Sequence, residues 1–321
     1  MDITLLKVTN LRTYFFTRRG VVKAVDGVSF ELKRGECLCL VGESGCGKTV
    51  TALSLLRLID SPPGRIVAGE VRYDRLDLIT CPQEELRRVR GKEIAMIFQD
   101  SQSALNPVFT IGDQVIEQIK LHLGSEEREA RRQAISLMTE VGMPDAEMAM
   151  NYYPHKLSGG MKQRVMIAMS LSCAPKILIA DEPTTAVDVT IRAQIMDIFR
   201  NLKVQRQMSL IFITHDLGVV AEIGDRAIVM YAGKPCEAGT IAEILDHPRH
   251  PYTVGLINCL PDASVAAARL TSIPGIPPDP VDLPPSCLFQ PRCPQAMPAC
   301  DEKEPLETIV SEGHTVNCHL Y

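Results

Sequence analysis

Residues 37–41 read CLCLV, residues 42–49 read GESGCGKT, and the next ten residues, VTALSLLRLI, carry apolar side chains at helical spacing. No other feature constrains the fold as strongly. A short apolar run bounded by glycine is a buried strand. A G-x-x-x-x-G-K-T loop between a strand and a helix is built to surround a phosphate chain. Glycines let the backbone close on an anion without Cβ clashes, and the helix N-terminus adds its amides and its dipole. Gly42, Ser44, Gly45, Cys46, Gly47, Lys48, Thr49 and Val50 are therefore the candidate nucleotide contacts. Lys48 is placed to reach the β- and γ-phosphates and the Thr49 hydroxyl to bind Mg²⁺. The competing reading, a chance glycine-rich turn, does not account for the strand before the loop and the helix after it.

Further apolar runs, ILIA (177–180), LIFIT (210–214) and AIVMYA (227–232), read as buried strands, and IRAQIMDIFRNL (191–202) reads as a helix. Strands alternating with helices predict an α/β protein with a mostly parallel sheet. The stretch from about 100 to 172 shows no strand pattern and is expected to be a helical insert, its EEREARR run being a solvated helix face. A net charge of −5 argues against a nucleic-acid partner. No run approaches the ~18 apolar residues that cross a bilayer. The opening Met1-Asp2-Ile3-Thr4 lacks the basic start and apolar stretch of a secretory leader, so a cytoplasmic chain is expected, its eleven cysteines reduced.

Two more motifs fit phosphate chemistry. ILIADEP (177–183) ends a strand on two carboxylates, with Asp181 expected to hold Mg²⁺ and Glu182 to act as general base toward water. LSGGMKQR (157–164) starts a helix on Ser158, with Gly159 and Gly160 leaving backbone amides open to a second anion.

With this third motif the chain resembles the ATP-binding-cassette (ABC) ATPases. The resemblance implies a P-loop fold with a mostly parallel core sheet, an antiparallel N-terminal β portion and a helical insert. It implies that Ser158, Gly159 and Gly160 touch ATP held by an opposite subunit. Gln99 in IFQD resembles the Q-loop glutamine that touches Mg²⁺, and Asp188 in PTTAVDVT resembles the D-loop aspartate. His215 in FITHD resembles the switch histidine, a catalytic partner of Glu182 and Lys48. Phe15 is the aromatic expected to stack on adenine, with Tyr14 and Phe16 as rivals.

QDSQSALNP (99–107), YPHKLSGGM (153–161), ADEPTTAVDVT (180–190) and HPRHPYTVGLINCLP (247–261) resemble the oligopeptide/dipeptide importer subfamily. That resemblance implies a nucleotide-binding domain over 1–255 and a C-terminal extension over 256–321. It implies a second, related ATPase as heterodimer partner, two transmembrane permease subunits, an extracytoplasmic binding protein that delivers the substrate, and a peripheral location on the cytoplasmic face of the membrane. Import of a nickel or other metal chelate is the nearest alternative. A soluble, redox-sensing ATP-binding regulator is the alternative from another class.

The tail raises a separate question. Eleven of the 22 prolines lie between Pro261 and Pro305, and PGIPPDPVDLPP (274–285) predicts an extended connector. After it come Cys287, Cys293, Cys300 and Cys318, spaced C-x5-C-x6-C-x17-C. Those gaps are wider than the usual zinc pairs. The subfamily resemblance implies a [4Fe–4S] cluster on these four residues. A zinc site and unligated thiols are the other readings.

Overall fold

The computed structural model of the chain describes residues 3–100, 104–185, 187–259 and 272–321. Positions 101–103 of the QDSQSALNP stretch and the composition break near 261 lie outside the described residues.

The strands, in chain order, are β1 (Thr4–Thr17), β2 (Gly20–Lys33), β3 (Cys37–Val41), β4 (Gly64–Tyr73), β5 (Leu76–Asp77) and β6 (Ile94–Ile97). They continue with β7 (Ile177–Asp181), β8 (Ser209–Thr214), β9 (Arg226–Tyr231), β10 (Lys234–Thr240), β11 (Glu307–Ser311) and β12 (His314–Asn317). The chain divides into two compact units, one of Met1–Lys33, Cys37–Thr80 and Ile213–Tyr321, the other of Arg34–Glu36 and Cys81–Phe212.

In the first unit β2, β1, β4 and β5 form an antiparallel sheet in that order. Leu6 and Val8 of β1 point inward and their neighbours outward. The register slips between Val8 and Leu11, where Asn10 takes a left-handed backbone (φ 48°). Such a bulge shifts the alternation by one residue and keeps Leu11 and Thr13 inside. A second row of strands begins with β3, buried at all five positions, which explains its uninterrupted apolar sequence. β3 pairs in parallel with β9, β9 antiparallel with β10, and β12 and β11 of the tail extend the row antiparallel.

In the second unit β8, β7 and β6 lie side by side, with β6 and β7 parallel. The helix Val189–Arg206 buries Ile195, Met196, Phe199 and Leu202, and Phe199 meets Phe212 of β8 edge-on at 5.3 Å. Between 104 and 176 the described residues hold helices and no strand. The first of these helices, Ile111–Leu123, is started by a capping box between Thr110 and Asp113 and stopped by Gly124 at φ 67°. Its buried face (Ile111, Val115, Ile116, Ile119) belongs to the same apolar core as Ala130, Ala134, Leu137 and Met138 of the helix Glu127–Glu140. Among the described residues no helix is long and apolar enough to cross a membrane.

Candidate nucleotide site

In the first unit the loop after β3 has the shape its glycines require. Gly42 sits at φ 150°, and a Cβ there would lie 2.3 Å from the Met230 carbonyl oxygen. Gly47 sits at φ 104°, and a Cβ would lie 2.2 Å from the Ala24 carbonyl oxygen. Any other residue at either position would clash with fixed backbone. Gly47 also caps the helix Lys48–Leu55, which has no side-chain cap and no acid in its first turn. An uncapped, acid-free helix start is an anion-binding arrangement. The buried Lys48 ammonium donates to the carbonyls of Gly42 (2.8 Å) and Glu43 (2.9 Å), which fixes it along the loop. Burial raises the Cys46 thiol pKa despite the neighbouring Lys48, so Cys46 is a packing residue of the loop.

The same unit holds Phe15 and His215. Phe15 faces Gly64 of β4, and a Cβ on that glycine would come within 2.9 Å of the ring. Tyr14 donates its hydroxyl to Asp26 at 2.7 Å and lies beneath Lys23. Phe16 is 49% exposed. His215 follows the end of β8 and is exposed, one residue before Asp216, which caps the helix Leu217–Ile223.

In the second unit β7 delivers the acidic pair. Asp181, 1% exposed, ends the strand. Glu182 turns the chain at φ 45°, a conformation that costs a non-glycine residue of order 1–3 kcal/mol and concentrates at functional sites. Its Oε2 accepts from the Gln99 amide at 3.0 Å and from the Thr185 hydroxyl at 2.9 Å. The structure thus brings Gln99 and Glu182 together, although they are 83 positions apart. Thr185 was not among the residues expected from sequence, and its spacing of three from Glu182 is the signal for it.

The serine–glycine motif also lies in this unit. Ser158 caps the helix Gly159–Leu171 by accepting the Met161 amide at 3.3 Å. No acid stands in the first turn, and a Cβ on Gly159 would meet nothing within 4 Å. Gly160 is tighter, since a Cβ there would come 2.7 Å from Ile191 Cγ2. Asp188 caps the helix Val189–Arg206 through the Ile191 amide at 2.9 Å, so one loop orders both Asp188 and the wall behind Gly160.

The tail corrects one expectation. Among the described residues no group of three or more His, Cys, Asp or Glu side chains could hold a metal ion, so the [4Fe–4S] cluster expected on Cys287, Cys293, Cys300 and Cys318 is overturned. None of these four is in a disulfide. Burial raises the thiol pKa of Cys287 to about 11 and raises those of Cys293 and Cys318, which keeps them protonated. The tail has an aromatic core. Phe289, 3% exposed, packs its ring 5.2 Å from Tyr231, 5.3 Å from Tyr252 and 5.7 Å from His250. At the other end His314 Nε2 meets the buried Glu237 carboxylate at 2.8 Å, and that carboxylate also accepts the amides of Arg249 and His250.

Arg292 was also missed in the sequence. Its side chain is 3% exposed and forms a two-pronged pair with Glu43 of the phosphate loop, at 2.7 and 2.9 Å. The Glu43 end is 28% exposed, so the pair is part-buried, and removing Glu43 strands the Arg292 charge. Glu43 is the available signal: an acid inside a phosphate loop calls for a cation.

These parts define a nucleotide-hydrolysing cassette: a phosphate loop, an acidic strand end and a second helix start suited to an anion. Comparison with known proteins agrees. Residues 25–185 match the ABC transporter family and residues 236–300 the C-terminal region of oligopeptide/dipeptide transporters. The oligopeptide transport ATP-binding protein AppD of Bacillus subtilis is 47% identical over 99% of this chain and 97% of its own length. The dipeptide transport ATP-binding protein DppD of Escherichia coli is 45% identical over 99% of this chain and 97% of its own. Among solved structures, the dimeric post-hydrolysis state of the cassette MJ0796 bound to ADP and Pi superposes with a TM-score of 0.66 at 26% identity, covering 74% of this chain and 98% of that one. The chain belongs to the ABC transporter family and is an ABC ATPase.

Proposed function

We propose that this chain is the ATP-hydrolysing subunit of a peptide importer, converting ATP binding and hydrolysis into uptake of dipeptides or oligopeptides through separate membrane subunits. The observation that carries this reading is the match, over nearly the whole chain, to transport proteins named for oligopeptides and dipeptides, tail included. Metal-chelate import draws no comparable support from those relatives. The redox-sensing alternative predicts a chain that does not co-purify with membrane subunits.

The roles proposed for the residues follow the geometry of each unit. In the first, the amides from Ser44 to Val50 receive the phosphates, Lys48 neutralises them, the Thr49 hydroxyl is a Mg²⁺ ligand, and one aromatic of the Tyr14–Phe16 run stacks on adenine. His215 is the polar group that senses the terminal phosphate. In the second, Asp181 and Gln99 offer oxygen donors of the hard kind Mg²⁺ prefers. Glu182 is the general base, its carboxylate oriented by Gln99 and Thr185. Mg²⁺, when bound, supplies charge neutralisation at the phosphates.

Ser158, Gly159 and Gly160 form an anion site on a separate helix start, which favours a cassette dimer with each chain completing its partner's site. The partner on this reading is a related ATPase, and the pair sits peripherally at the cytoplasmic face beneath two permease subunits fed by an external binding protein. Division into a cassette (1–255) and an extension (256–321) is then one of role, since the tail packs within the compact unit that holds the phosphate loop.

Co-expression with the candidate permeases tests the whole proposal. The chain is expected to co-purify with them in detergent, and its ATPase to rise when a peptide-loaded binding protein is added to the reconstituted complex. ATPase activity indifferent to peptide but responsive to a metal chelate would overturn the substrate assignment.

A further inference from the structure

The C-terminal tail reaches the phosphate loop through one side chain. Glu43 is the second residue of that loop, and its carbonyl accepts both the Lys48 ammonium (2.9 Å) and the Cys46 amide (3.3 Å). Its position therefore sets where Lys48 points and how the loop turns. Three contacts hold Glu43 from outside the loop. The Tyr252 hydroxyl accepts its amide at 2.8 Å, and the Arg292 guanidinium grips its carboxylate with two nitrogens.

Arg292 is itself held on every side. Its Nε donates to the Pro274 carbonyl (3.0 Å), its Nη2 to the Ile273 carbonyl (3.3 Å) and its Nη1 to the Tyr231 hydroxyl (3.3 Å). The guanidinium stacks 5.7 Å from the centre of the Tyr231 ring and 6.0 Å from that of Phe289. Gly275, at φ 84°, lets the connector pass close to it, since a Cβ there would come 3.1 Å from Arg292 Cγ. Pro274, Ile273, Gly275 and Phe289 all belong to the tail. A planar fork fixed by so many partners transmits position, which a flexible lysine would not.

Charge gives a second reason for the link. A carboxylate two positions into an anion-binding loop repels the phosphates unless a cation answers it. Arg292 answers Glu43 without occupying the loop's amides, because it approaches the side chain and leaves the backbone donors of residues 44–50 alone.

We propose that Arg292 is a positioning residue for nucleotide binding: the tail, through the Arg292–Glu43 pair, sets the geometry and charge of the phosphate loop. The inference rests on the ATPase reading above and adds a regulatory input to it. Whatever shifts Phe289 or the connector 274–285 and so pulls Arg292 from Glu43 loosens the loop and weakens nucleotide binding at the same stroke.

The test uses the full-length chain and a non-hydrolysable ATP analogue. Calorimetric affinity is compared for wild type, Arg292→Gln, Arg292→Lys, Glu43→Gln and the Glu43→Gln/Arg292→Gln double variant, with hydrogen exchange of the loop amides followed in each nucleotide-free protein. Arg292→Gln is expected to weaken the analogue by at least about fivefold, the lower range of coupling between sites, and Arg292→Lys to recover only part of that loss. The double variant is expected to be no weaker than Arg292→Gln alone, because both changes cut one link. Amides 44–48 should exchange faster in Arg292→Gln. The inference is overturned if Arg292→Gln speeds exchange in the tail while its affinity stays within about twofold of wild type, or if the two single losses multiply in the double variant. Wild-type chain that binds no analogue, with Lys48→Ala indistinguishable from it, would instead overturn the nucleotide reading on which this one stands.

Discussion

Replacing Phe289 by alanine asks directly what holds the tail together. The ring is 3% exposed and touches three other rings, those of Tyr231, Tyr252 and His250. Deleting a buried phenylalanine costs about 3–5 kcal/mol, part transfer and part cavity. The hole opens between the tail and β9, with little able to collapse into it, because the Arg292 guanidinium stacked on the ring is fixed by the Glu43 carboxylate and two carbonyls. The loss therefore falls on opening of the tail. Hydrogen exchange reads it at the amides of Cys287 and Arg292, which donate to the carbonyls of Cys300 and Phe289 at 3.0 Å each. Since 1.36 kcal/mol is tenfold, these amides should exchange at least about a hundredfold faster in Phe289→Ala. In Cys293→Ser they should change by less than about tenfold, because that thiol is a packing group. Equal loss of protection in both variants, or loss on adding a chelator to wild type, would refute the reasoning and restore metal to the centre of the tail.

Other expectations follow from the same geometry. Glu182→Gln should keep ATP binding and lose at least ~100-fold in turnover in the assembled complex, the usual contribution of a general base; an unchanged rate there excludes Glu182 from that role. The isolated chain should hydrolyse ATP poorly, with specific activity rising with concentration or on adding a partner cassette; high activity that is independent of concentration would contradict the shared-site reading. Stability should fall between about pH 6.5 and 4. Burial holds the His250 pKa at about 4 and its Nδ1 accepts the Tyr252 amide, so the unfolded chain binds a proton in that window that the folded chain refuses. His250→Gln should flatten that part of a pH–denaturation profile, and an unaltered profile would place the dependence elsewhere.

Much of the molecule was legible in the residues. CLCLV is β3 residue for residue, ILIA and LIFIT lie within β7 and β8, and AIVMYA overlaps β9. Short uninterrupted apolar runs bounded by turn residues suit strands buried on both faces. Phosphate-loop geometry was legible for a similar reason: Gly42 and Gly47 stand where fixed carbonyls leave no room for a Cβ, a local demand written into a local motif. Helix caps at Ser158 and Asp188 are local too, each spanning three residues.

The tail is where sequence and structure part. The subfamily resemblance implies a cluster on its four spaced cysteines, in a segment crowded with prolines and short of apolar residues of its own. Folding supplies the rest from elsewhere in the chain: Tyr231 and Tyr252 around Phe289, Glu237 opposite His314, and β10 as the strand on which β12 adds itself. Proximity between residues as distant as Glu43 and Arg292, 249 positions apart, has no periodicity or spacing to announce it. By itself the sequence determined which segments become strands, where an anion can be wrapped and where helices begin, because those depend on side chains a few positions apart. Only the tertiary structure decided what the tail is made of and that its arginine grips the phosphate loop, because burial and charge pairing depend on which distant surfaces the folded chain brings into contact.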